Sequence, residues 1–117
     1  MKPEDKDLLL KDICSRLPYG VFMGNKEWNR KPYQLTCDEV QYMMMSDDYE
    51  DVPYLRPMSS MTEEEKLKFS IVPIYAFVHY NEIAKMDWLN EHHFDYRGLI
   101  DKGLAIEVTE ENNPYKD

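Results

Sequence analysis

Residues 3–23 read PEDKDLLLKDICSRLPYGVFM, and within this stretch the pattern changes from that of a helix to that of a strand. Pro3 suits the first turn of a helix, and Glu4, Asp5 and Asp7 complement the positive end of its dipole. Leu9, Leu10, Ile13, Cys14 and Leu17 then recur three and four residues apart, drawing an apolar stripe opposite Lys6, Asp12 and Arg16. On this stripe Cys14 reads as a core residue rather than a nucleophile. Pro18 and Gly20 stop the helix. Val21 to Met23 follows as a short strand, with Gly24-Asn25 as a turn. A helix running directly into a strand points to a mixed α+β domain.

Downstream, Tyr33 to Leu35 is placed to pair with that strand. Thr36 and Glu39 have capping-box spacing, with Val40, Met43 and Met44 as a helical face. A short apolar run fits a strand as well, but the cap favours a helix. Met43 to Met45 read as adaptable filling for irregular core space, with a binding surface as the alternative. Ser46 to Asp51 is an acidic loop. Val52 to Met58 carries Pro53 and Pro57 around Tyr54-Leu55-Arg56, which predicts extended chain. Ser60 with Glu63, or Thr62 with Glu65, caps a helix that starts near Thr62 and ends before Pro73.

Ile74 to Tyr80 is rich in strand formers. Asn81 can cap a helix from Glu82 to about His92, with Ile83, Met86 and Leu89 inward. Asp95 can cap a second short helix that buries Tyr96, Leu99 and Ile100 and ends at Lys102-Gly103. Leu104, Ile106 and Val108 alternate as a closing strand, and after Thr109 the polar tail is expected to fray. The prediction is one domain over residues 1–109 and a tail over 110–117. Its architecture is a small antiparallel sheet with an N-terminal helix and C-terminal helices packed to one side.

The formal net charge is −9 over 117 residues, and it is unevenly placed. Nine acids and one base, Arg56, lie between Asp38 and Glu65, so eight of the nine units sit there. Such a field repels phosphate backbones and favours a basic protein partner, although a solvated acidic face that aids solubility is the more ordinary account of it. Cys14 and Cys37 form no CxxC pair or disulfide framework. The charged N-terminus is unlike a secretory signal. The apolar stretch from Ile71 to Val78, broken by Pro73, falls far short of the roughly 20 residues of a membrane span. These features predict a cytoplasmic protein with free thiols and no membrane contact.

The four glycines are scattered, so no phosphate-cradling loop can be drawn. Asp87, Glu91, His92, His93 and Asp95, with His79, form the best set for metal or proton chemistry. On an unbroken helix, however, His92 and His93 point about 100° apart. Cys37 falls in a first helical turn, which lowers a thiol's pKa, yet no base accompanies it. Neither set defines a catalytic or metal site, and no cofactor is implied. Tyr54, Leu55, Arg56, Pro57 and Met58 form a proline-stiffened stretch of contact-prone residues, with a plain packed connector as its alternative reading. With the acids Asp47, Asp48, Glu50 and Asp51, it is the candidate protein-binding site.

Three blocks carry a resemblance: MKPEDKDLLLKDICSRLPYGV at 1–21, PYLRPMSSMTEEEK at 53–66 and WLNEHHFDYRGLIDKGLA at 88–105. They resemble a family of short, uncharacterised proteins of gut Bacteroides-type bacteria and their phages or mobile elements. The segment from Phe22 to Val52 departs from that pattern. The resemblance implies a cytoplasmic protein and transfers no catalytic residue. The sequence therefore favours a non-enzymatic interaction or adaptor protein. An acidic decoy of a nucleic-acid-binding protein and a small metal-dependent hydrolase using His92 and His93 are the alternatives.

Overall fold

The computed structural model describes residues 2–25, 27, 31–46, 49–71 and 81–115. Helix α1, Pro3–Arg16, carries Pro3 at its start and Glu4 and Asp5 in its first turn, and leaves through a single 3₁₀ turn, Leu17–Tyr19. Gly20 closes that turn at φ 72°, a left-handed conformation that glycine adopts without a Cβ clash. Strand β1, Phe22–Gly24, then pairs antiparallel with β2, Tyr33–Gln34. Helix α2, Cys37–Met45, follows, with the Thr36 hydroxyl accepting the Glu39 N–H at 3.4 Å, so the helical reading of this run holds.

Strand β3, Val52–Pro57, organises the sheet. It pairs antiparallel with β1 at Val52 and Pro53, and parallel with β5, Ile106–Glu107, at Tyr54 and Leu55. At Arg56 and Pro57 it pairs parallel with β4, Phe94–Asp95. The fold is α+β, and its sheet is mixed rather than wholly antiparallel. The chain passes through α3, Glu63–Ile71, and α4, Asn81–Glu91, before β4, and so long a crossover lets a strand return in parallel. Thr62 and Glu65 form the complete capping box at α3, each side chain taking the other's backbone N–H at 3.0–3.1 Å. The strand expected at Ile74 to Tyr80 lies outside the described residues.

Leu9 and Ile13 of α1 meet Val21, Met23 and Leu55 of the sheet region, Val40 and Met43 of α2, and Leu99 and Leu104 from the C-terminal part. Several expected faces differ. Cys14 is exposed, whereas Asp12 and Arg16 are wholly buried. Their burial is possible because they pair with one another, although Arg16 Nη1 finds no hydrogen-bond partner among the described residues. Arg16 donates from Nε and Nη2 to the Asp12 carboxylate at 2.8 and 3.0 Å, and from Nη2 to the Phe94 carbonyl at 2.7 Å. Arg97 adds a 2.7 Å bond to Asp12. Helix α1 therefore buries a charged stripe beside its apolar one.

Of the three methionines only Met43 is buried, because residues 44 and 45 turn away from the side that packs on α1. Of the α4 positions expected inward only Leu89 is buried; Ile83 and Met86 are exposed. Turns replace the second short helix. Both Asp95 carboxylate oxygens accept backbone N–H groups, from Leu99 and Ile100, and the Leu104 N–H returns to the Leu99 carbonyl. Such a closed loop satisfies the same groups without a helical repeat. The closing strand shrinks to Ile106–Glu107, and the tail expected to fray instead seats Tyr115 against β1 and β3.

Removing Asp12 leaves the Arg16 guanidinium buried beside a half-empty site. Asp12→Ala is expected to lose about 3–5 kcal/mol, the usual penalty for an orphaned buried charge. Chemical denaturation of the variant against the parent chain measures it.

Candidate functional site

The acidic segment begins at α2. With Val40 and Met43 turned inward, the helical period leaves Tyr42 and Met44 each 61% exposed and Met45 87% exposed. Lys6 of α1 ties down the end of α2 by donating from Nζ to the Ser46 carbonyl at 2.9 Å. Tyr42 rests edge-on against Tyr49, with ring centroids 6.0 Å apart. Between Cys37 and Asp51 the sequence holds six acids and no base. Asp38 and Glu50 are exposed and Glu39 is half-exposed, while Asp47 and Asp48 lie outside the described residues.

Asp51 is built into the fold. It is buried and accepts the Tyr33 hydroxyl at 2.6 Å and the Asn25 amide at 3.2 Å. Tyr33 also meets the Tyr49 hydroxyl at 2.7 Å. Burial, reinforced by the Asp51 bond, pushes the Tyr33 hydroxyl well above its ordinary pKa, so it stays protonated. Next to this network an open cavity of about 260 Å³ is lined by Asp5, Asn25, Glu27, Glu50 and Val52, with Gly103 and Leu104.

The other half of the candidate site follows β3. Tyr54 and Leu55 are buried and Pro57 is half-buried. Arg56 grips Glu65 with two 2.7 Å bonds and lies 4.2 Å over the Phe94 ring. Met58 is 40% exposed. It lies six positions beyond Val52 along extended chain, so it sits roughly 20 Å from the acidic cavity by the strand rise. The two parts of the sequence-derived site thus flank opposite ends of one strand.

The histidine set disperses. His92 places Nδ1 2.9 Å from the Trp88 carbonyl and stacks on the Trp88 ring at 4.1 Å. His93 takes φ 62°, breaking the helix, and stacks on Tyr115 at 3.6 Å. Burial, then the Arg16 charge, pushes the His93 imidazole down to about 4. Asp95 is engaged by its two backbone N–H groups, Asp87 and Glu91 are exposed, and His79 lies outside the described residues. Among the described residues no three His, Cys, Asp or Glu side chains are grouped to hold a metal ion. Nor is any described helix long and apolar enough to cross a membrane.

Two features escaped the sequence reading. Arg16 and Tyr115 carry contacts 78 and 93 residues distant along the chain, and no local spacing announces such a partner. Glu65 was visible as a cap, but its pairing with Arg56 was not. In comparisons with known proteins, the chain matches no family model, no curated protein and no solved structure.

The Arg56 hydrogen bonds, with help from Thr62, hold the Glu65 carboxyl down to about 2, against an ordinary 4.5. As pH falls, the unfolded chain takes up this proton first. The stabilisation is therefore complete above pH 4.5 and lost as pH falls through about 2. Denaturation of the parent chain and Glu65→Gln at stepped pH is expected to show a stability gap that narrows across that window.

Proposed function

We propose that this chain is a non-enzymatic protein-binding module acting in the cytoplasm, which receives a basic protein surface on the exposed side of α2. The observation that carries the reading is the company kept by Tyr42, Met44 and Met45. Three large exposed side chains stand in a fifteen-residue stretch that has no base and six acids, of which Asp38 and Glu50 are exposed and Asp51 is taken up by the fold. Tyrosine and methionine supply contact area, and methionine adapts its shape to what it meets. The exposed carboxylates of the same stretch, Asp38 and Glu50, steer a cationic partner and disfavour an acidic one. The likeness of three sequence blocks to short proteins of phages and mobile elements is in keeping with an accessory role.

A second reading shares this chemistry: the acidic face occupies the nucleic-acid site of such a partner. The acid density between Cys37 and Asp51 favours it, and displacement of the partner by DNA separates it from simple docking.

The test is affinity capture from the native host with the parent chain, the double variant Met44→Asp/Met45→Asp, and the double variant Asp38→Lys/Glu50→Lys. All four positions are exposed, so melting temperatures are expected to stay close to the parent's. The expected result is a basic protein retained by the parent and lost by about tenfold or more in each variant, with binding to the parent falling as salt rises. Equal capture by all three chains, or capture of nothing specific, overturns the proposal.

A further inference from the structure

Tyr115 occupies a position that no surface tail residue needs. In the β1–β3 ladder Met23 faces Pro53 and Gly24 faces Val52, so Phe22 and Tyr54 come next in the same register. These two residues take the Tyr115 hydroxyl between them. It accepts the Phe22 N–H at 3.0 Å and donates to the Tyr54 carbonyl at 2.7 Å. The Phe22 ring packs edge-on to Tyr115 with centroids 5.6 Å apart, and the His93 ring stacks on it at 3.6 Å and 10°. A short C-terminal segment thus closes the ladder between β1 and β3.

The floor of this contact is an imidazole under constraint. His93 is 8% exposed, its Nδ1 finds no hydrogen-bond partner among the described residues, and its φ of 62° is uncommon for a side chain of this size. The charges facing it come from three directions: Arg16 on α1, Arg56 on β3 and His92 next to it. Asp12 compensates Arg16, and Glu65 compensates Arg56. Among the described residues no acid is one of the groups that weigh on His93, and the phenol stacked on it stays neutral because burial pushes its pKa up.

We propose that the C-terminal segment is a clasp held shut by neutral His93, and that protonating this imidazole releases Tyr115 from β1 and β3. A second proton acceptor beneath the ring would let an imidazolium stay; two guanidinium groups oppose it. Folded in the clasp, His93 is held down to about 4 by burial first; uncovered, it rises toward the ordinary value near 6.5, with Arg16 and Arg56 still opposing its charge. As pH drops between these values, the open form binds a proton that the closed form refuses. The opening equilibrium rises across that window, by at most about two orders of magnitude for a full return to 6.5.

The test is a two-dimensional NMR titration of the full chain from pH 7 to 4, run beside His93→Asn. Asparagine tolerates left-handed φ and does not titrate. The expected result is that the Phe22 amide and Tyr115 ring signals move together in the parent chain while core amides such as Leu9 and Met23 hold, and that the movement disappears in His93→Asn. Tyr115→Phe keeps the ring but not the hydroxyl, and is expected to show the Phe22 amide already in its released position at pH 7. Direct observation of the His93 ring in the parent chain keeps the proposal falsifiable if a variant fails to fold. A ring titrating near 6.5 with the clasp closed overturns it, as does an identical pH response in His93→Asn.

Discussion

A carboxylate and a guanidinium, Asp12 and Arg16, sit one helical turn apart on α1 with no solvent exposure at all. Two bare charges in such a place would be worth several kcal/mol of desolvation each, so everything near them must be arranged to satisfy them. That requirement fixes how α1 meets the rest of the chain. The Phe94 carbonyl has to arrive at Arg16, which places β4, and Arg97 has to reach Asp12, which places the loop after it. Because the ion pair's geometry is directional, it sets the register of α1 against β4 more sharply than Leu9 and Ile13 could by apolar contact alone.

The same device recurs at the far end of β3. Arg56 faces a carboxylate that already caps the start of α3, so one residue, Glu65, opens a helix and anchors a strand. Both guanidinium groups also lie against aromatic rings, Arg16 near Tyr96 and Arg56 over Phe94. Such stacking suits arginine because its charge is delocalised and weakly hydrated. A small sheet whose strands are two to six residues long has few ladder bonds to specify its pairing. These two arginine clamps supply specificity that the ladders lack.

What was legible in the sequence follows from this. Local signals were readable: the proline and acids opening α1, the glycine closing it, the caps at Thr36 and Thr62, the extended chain around Pro53 and Pro57. Periodicity misled where burial was not apolar. The stripe on α1 ranked Cys14 inward and Asp12 with Arg16 opposite, because hydropathy has no term for a charge that brings its own partner. Periodicity overreached again on α2 and α4, where Met44, Ile83 and Met86 match a helical face and nevertheless stay exposed. For the candidate site, the acids and methionines were visible as residue types, but their division between framework and surface was not. Asp51 went into the fold through Tyr33 and Asn25, and Glu50 stayed at the cavity rim.

That division is the strongest argument about what the surface is for. Acids that the fold uses are recognisable by their partners: Asp12, Asp51, Glu65 and Asp95 each accept two or more bonds from named groups. Asp38 and Glu50 stand exposed in the same stretch as Met44 and Met45, side chains that fully buried would each contribute about 1.5–3 kcal/mol to folding. A single exposed methionine means little, since folded surfaces carry much apolar area. Two in succession with a tyrosine, spread around the outward half of a helix whose opposite face is packed, in the part of the chain that holds most of its net charge, give that helix both contact area and a sign. Solubility alone would ask for the charge and not for the methionines.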